Sequence, residues 1–194
     1  SEFCLSIYQY FPILIIGYFA GNGAAGIYRV IEQIFSIFRT FIFMFFNFSY
    51  PTVCFEVEKN LKKGIKVWKL YHLTNLAIII SLCILVYIFS DYILSYFHVA
   101  TKDKQSLIVL LRLAILVPIL LVISQALRQL MFALNLSSVY TRIIYFSCIL
   151  SIVLLSTFVY LFGLKGSFIA MILVELIVIS LYSFVLSKKR HLPT

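Results

Sequence analysis

The sequence predicts an all-α integral membrane protein, a bundle of six transmembrane helices, and three observations carry that prediction. Hydrophobic residues make up 63% of the 194 residues and charged residues 12%, with a mean hydropathy of +1.07, whereas soluble domains are about 25% charged. Six apolar runs are each long enough, at about 1.5 Å per helical residue, to cross a hydrocarbon core close to 30 Å thick. The connections between them are short and hold most of the charge, so 1–194 reads as a single lobe.

The formal net charge of +9 would point to nucleic acid in a soluble protein. Here the lysines sit between apolar runs, where they set orientation, and no nucleic-acid partner is expected. Cys4, Cys54, Cys83 and Cys148 are scattered singly, without zinc or disulfide spacing, so no metal or other cofactor is expected either. The chain opens on Ser1 with no Met, and 3–20 lacks a signal-peptide cleavage site, which suggests a segment of a longer protein.

The first helix is expected over about 3–20, with Pro12 either bending it or packed against a neighbour. GNGAAG follows as a tight turn, making a hairpin with a second helix over about 27–53 that closes at Tyr50-Pro51. That second helix, within GIYRVIEQIFSIFRTFIFMFFNFSYP, is apolar enough to span yet carries three charges. At about 100° per residue, Arg29, Glu32, Gln33, Ser36, Arg39, Thr40 and Asn47 share one stripe, and Ile31, Ile34, Phe35, Phe38, Phe41 and Ile42 take the other side. A charge facing lipid costs at least about 2.5–3.5 kcal/mol near the bilayer centre, so the stripe should line something. Two readings stand. Arg29, Glu32 and Arg39 are ion-pair partners that hold the bundle together, or their surplus positive charge faces a cavity suited to a phosphate or pyrophosphate head group.

FEVEKNLKKGIKVWK then forms the most basic connection, before a third helix over about 67–90 with Trp68, Tyr71 and His72 in the aromatic belt. His72 and Asn75 share a face but are too few for a metal site, and His72 reads as a satisfied interfacial histidine. In DYILSYFHVATKDKQS, residues Tyr92, Ile93, Leu94, Tyr96 and Phe97 suit a short amphipathic turn in the interface. Neither His72 nor His98 has a serine or cysteine placed to act as a nucleophile, so no enzymatic activity is expected.

The fourth helix, about 107–134, is long and should bend near Pro118. It turns Ser124, Gln125, Arg128, Gln129 and Asn135 to one side; Arg128 either snorkels or faces a cavity. The fifth, about 142–162, has Ser147, Ser151 and Ser156 as small packing residues. After GLKG, the sixth spans about 167–187 with Glu175 near its middle. A lone buried carboxyl is protonated, paired with an arginine of another helix, or a site for a coupling cation. Nine of the sixteen basic residues fall in the second and fourth connections and the tail, against Lys102, Lys104 and Lys165 in the others. By the positive-inside rule both ends are expected in the cytoplasm.

The run ILIIGYFAGNGAAGIY, the closing Tyr50-Pro51, and Gly163, Gly166, Ala170 and Glu175 in LFGLKGSFIAMILVE resemble the bacterial polysaccharide flippases of the multidrug, oligosaccharidyl-lipid and polysaccharide exporter superfamily. The resemblance covers nearly the whole chain, departing at Ile31, where a small residue is usual, and at Gln33, where a basic one often stands. It implies the second, C-terminal lobe of a two-lobed transporter in the bacterial inner membrane, with the N-terminal lobe of the same protein as partner. It also implies movement of an undecaprenyl-pyrophosphate-linked oligosaccharide between leaflets for O-antigen, lipopolysaccharide or capsule synthesis, alongside polysaccharide polymerase machinery and membrane lipid. The expected head-group cavity comprises Arg29, Glu32, Gln33, Arg39 and Arg128, with Glu175 as coupling-ion site or charge partner. The rival readings are a cation-coupled drug exporter, for which a net negative cavity would argue, and a membrane polymerase, which would need long polar outer loops.

Overall fold

The computed structural model describes residues 2–96 and 104–190, with side chains from 11 to 188 apart from 104 and 106. Phe97, His98 and Lys102, and the side chains of Cys4, Lys104, Lys189 and Arg190, lie outside the described residues. Within them the chain is helical almost throughout: α1 Glu2–Lys59, α2 Leu61–Ile88, α3 Ser90–Tyr96, α4 Lys104–Ala114, α5 Leu116–Ala133 and α6 Ser137–Arg190. Four stretches are long and apolar enough to cross a membrane, namely Phe11–Lys59, Leu61–Ile88, Leu107–Ala133 and Ser137–Lys188.

The first and last of these double back on themselves. Gly21 has φ 86° and ψ 166°, and Gly163 has φ 58° and ψ −141°, regions where a side chain is strained and only glycine is comfortable. A Cβ built on Gly17 would lie 3.8 Å from the Ala25 Cβ, whereas a straight helix at about 1.5 Å per residue would hold them roughly 12 Å apart. Across Gly163 the contact is tighter still: a Cβ on Gly166 would overlap the Phe158 carbonyl. The two turns lie at one end of the bundle, where Phe19 meets Tyr160 with ring centroids 5.9 Å apart and Tyr28 meets Phe168 at 5.8 Å.

Several expected boundaries move. The second helix does not close at Tyr50-Pro51 but continues to Lys59. Pro51 removes one hydrogen bond on an exposed side, while Val53 and Val57 beyond it are buried and keep the helix packed. The basic connection is accordingly not a loop. Asn60 alone interrupts the helix, extended at φ −157°, and its side chain accepts from the Lys63 N–H at 3.1 Å as an N-cap. Gly64 lets α2 pass against the Val57 backbone, and Lys63 pairs with Glu56 at 3.0 Å. The fourth helix divides at Ile115, three residues before Pro118, whose missing N–H leaves the Ala114 carbonyl without its usual donor. Its end is capped by Asn135 at φ 56°, where Leu136 N–H reaches back to the Met131 carbonyl at 2.9 Å. Asn135 therefore closes a turn and is not on the polar side of α5.

A large apolar core joins α1, α2, α4 and both arms of α6 around Ile16, Ile31, Phe38, Ile42, Ile79, Leu111, Leu155 and Phe168. A smaller one gathers Met131, Tyr140, Ile143, Val174, Val178 and Tyr182. Between these two cores the packing opens into a cavity.

Candidate functional site

The cavity, about 150 Å³, is bounded by the later arm of α1, by α5 and by both arms of α6, with Phe35, Pro118, Leu121, Ile144, Met171 and Val178 as its apolar walls. Four charged residues line it: Glu32, Arg39, Arg128 and Glu175. At about 1.5 Å per residue, Glu32 stands roughly 16 Å beyond Gly21 and Glu175 roughly 18 Å beyond Gly163, so the two hairpins bring carboxyls to nearly one depth.

Arg39 forms an ion pair with Glu32, both side chains about a fifth exposed at 23% and 21%. Glu32 also accepts from the buried Tyr28 hydroxyl at 3.4 Å. Arg128 is held differently. Its guanidinium stacks over Phe46, Phe132 and Tyr140, 5.4, 5.4 and 5.3 Å from their ring centroids, and donates to Gln125 Oε1 at 3.1 Å. Each such cation–π contact contributes about 0.5–2 kcal/mol, rising with desolvation. The Nε of Arg39 and the Nε of Arg128 are both buried without an acceptor among the described residues. Glu175 is buried, and Tyr182, two turns further along α6, is buried in the same cavity wall.

Two arginines and two glutamates line the cavity, where the sequence pattern of α1 alone offered two arginines and one glutamate. Arg29 and Gln33 do not line this cavity. Around the helix axis, Glu32, Arg39 and Phe43 form one edge of the polar stripe, and only that edge turns inward. The middle of the stripe, with Arg29, Ser36, Thr40 and Asn47, is exposed on the outside of the bundle. Ser36 and Thr40 satisfy themselves against the Gln33 and Ser36 carbonyls at 2.7 and 2.8 Å. Gln33, on the far edge, borders a separate apolar groove of about 420 Å³ with Ile37, Phe41, Leu85 and Tyr96. Of the expected apolar side, Ile31, Ile34, Phe35, Phe38 and Ile42 are buried, while Phe41 is 36% exposed.

A second polar centre lies on an adjoining face of α5. Ser124, Gln125 and Arg128 line the cavity, but Gln129, one residue on, is fully buried towards α1 and α2. Its Oε1 lies 2.5 Å from His72 Nε2, and its Nε2 donates to the Phe46 carbonyl at 3.2 Å and to Ser49 Oγ at 2.9 Å. His72 is buried between the helices, with Trp68 one turn earlier donating to the Ala126 carbonyl at 2.9 Å. Phe132 lies one turn from Arg128 on the same helix, a spacing visible in the sequence; Phe46, Tyr140 and the partners of Gln129 come from other helices, which no local pattern signals.

Among the described residues no group of three or more His, Cys, Asp or Glu gathers as a metal site. Fold and cavity define a helical protein with helices long and apolar enough to cross a membrane, enclosing a charged, apolar-walled pocket. No family model matches the chain, and comparison with curated proteins and with solved structures returns no match.

Proposed function

We propose that the chain is one lobe of a bacterial inner-membrane flippase that carries a lipid-linked anionic oligosaccharide, of the undecaprenyl-pyrophosphate class, across the bilayer for O-antigen or capsule synthesis. In this reading the hairpins at Gly21 and Gly163 make six spans, both ends are cytoplasmic, and no bond is made or broken. The lobe is half of a two-lobed transporter. Supporting that arrangement is the exposed middle of the α1 stripe: Arg29 and Asn47 face outward from a long apolar helix, where lipid is a costly neighbour and a watery cleft against a second lobe is not.

Arg128 is the observation that carries the reading. Three rings and Gln125 fix its guanidinium, leaving Nε–H unspent beside an apolar-walled cavity. Such a group suits the phosphate of an amphipathic substrate, since an arginine offers a permanent charge and fixed donors. Arg39, already paired with Glu32, is the lesser ligand. The second reading is a cation-coupled exporter of the same superfamily, in which Glu175, in the cavity wall, carries the ion.

The test is restoration of surface polysaccharide in a flippase-deficient cell, read beside membrane abundance. Arg128→Ala should lose most transport at normal abundance, and Arg128→Lys should retain part of it. A charge-assisted hydrogen bond is worth roughly 1.5–3 kcal/mol, so the loss should be about ten- to hundred-fold. Full transport by Arg128→Ala would remove the head-group role, and export of small cations instead would select the second reading.

A further inference from the structure

We infer that His72 is a proton-binding site inside the bundle, and that its occupancy is felt at the charged cavity through Gln129 and Phe46. The hydrogen bonds around Gln129 leave little freedom. Its Nε2 can only donate to the Phe46 carbonyl, and its second hydrogen goes to Ser49 Oγ, whose own hydrogen is spent on the Phe45 carbonyl at 2.9 Å. Gln129 Oε1 must therefore accept, and His72 Nε2 must carry a hydrogen. The remaining nitrogen, Nδ1, is then an acceptor. It is buried with no donor among the described residues, in a side chain only 8% exposed.

Asn75, three residues on along the same face of α2 and 2% exposed, has its Oδ1 in the same condition. Two acceptors without donors on one buried face form a site for something that donates. A hard metal cation would want several oxygens, and one imidazole nitrogen beside one amide oxygen is poor in them; a proton on Nδ1 fits. The partner that α5 presents to this ring, Gln129, is uncharged, and so is Ser49 of α1, which holds Gln129 from behind. On its own helix Trp68 lies with its ring centroid 5.4 Å away and tilted by 56°, and Tyr71 points to Phe45 and Phe48. Arg128 is turned the other way, into the cavity.

The route to the cavity is short. A proton on Nδ1 makes the ring an imidazolium and its bond to Gln129 charge-assisted, hence stronger. Gln129 grips the Phe46 carbonyl, and the Phe46 ring is one of the three against which Arg128 stacks. What this coupling does for transport rests on the flippase reading; the protonation itself does not.

The experiment follows ring and guanidinium nitrogen resonances of the isotopically labelled protein in lipid nanodiscs, titrated across about pH 4 to 8, a range that spans the point where an imidazole ordinarily changes charge and extends below it. One histidine signal, missing in His72→Gln, should pass from the Nε2–H tautomer to imidazolium. The Arg128 Nε signal, assigned by its loss in Arg128→Lys, should move with the same midpoint and stay still in His72→Gln. Asn75→Asp, near-isosteric, should raise that midpoint by about one pH unit or more by placing a carboxylate beside the ring. A His72 ring fixed in one form throughout, an Arg128 signal that moves equally in His72→Gln, or an unmoved midpoint in Asn75→Asp would each overturn the inference. Intact titration in a protein that fails to restore polysaccharide would sink the flippase reading alone.

Discussion

The two hairpins are built alike and held differently. Each turns on a glycine at positive φ and sends a glutamate to the same depth of one cavity. In α6 the returning arm lies backbone against backbone, with Gly166 on the Phe158 carbonyl, and Glu175 is buried. In α1 there is room between the arms for a methyl on Gly17, which would meet Ala25 only at ordinary contact distance, and Glu32 is partly exposed beside Arg39. The α6 hairpin thus forms a closed wall, while the α1 hairpin is the looser side, with its polar stripe on the outside of the bundle.

Substitutions that probe the turns and the ion pair should separate the two. Gly166→Ala is expected to do the most damage, since a methyl there meets backbone that cannot yield; overpacking of this kind costs about 1–3 kcal/mol or more, read as a fall in thermal midpoint and abundance. Arg39→Ala should come next. It leaves Glu32 part-buried without its cation, at a cost between that of surface pairs, about 0–1 kcal/mol, and buried ones, about 3–5 kcal/mol. Adding Glu32→Gln should restore abundance; if transport stays absent in that double variant, Arg39 is a head-group ligand as well as a strut. Gly17→Ala should reverse the sign, because the methyl gains contact and the helix loses a glycine, stabilising by about 0.5–1 kcal/mol. Equal destabilisation by Gly17→Ala and Gly166→Ala would erase the contrast. The smallest expected effect is on orientation: a cysteine at Lys62 should label only from the cytoplasm and one at Gly23 only from outside, with neither change altering stability.

Much of this was legible in the sequence, and the gaps have physical causes. Apolar run lengths and glycine punctuation found the helical arms, since both depend on local chemistry. The edges slipped where packing outweighed local signals, as at Pro51, which Val53 and Val57 override, and at Asn60, where one capping residue does what a loop was expected to do. At the site, helical periodicity placed Glu32 and Arg39 on one stripe, but it cannot say which edge of a stripe turns inward, so Arg29 and Gln33 were grouped with them. Periodicity likewise put Gln129 beside Arg128, although neighbouring residues about 100° apart face different helices. The rings around Arg128 and the partners of Gln129 come from α1 and α6, and a single sequence does not show which helices adjoin.

Trp68 has a practical consequence. It is the one tryptophan of the sequence, its indole N–H is tied to the Ala126 carbonyl on α5, and its ring lies 5.4 Å from the centroid of His72. Protonated imidazole withdraws electrons from a neighbouring excited indole, so emission from Trp68 reports both the seating of α2 on α5 and the charge on His72. These 194 residues carry their own optical gauge where α2 meets α5: dimming on acidification that is lost in both His72→Gln and Trp68→Phe would be visible without any label.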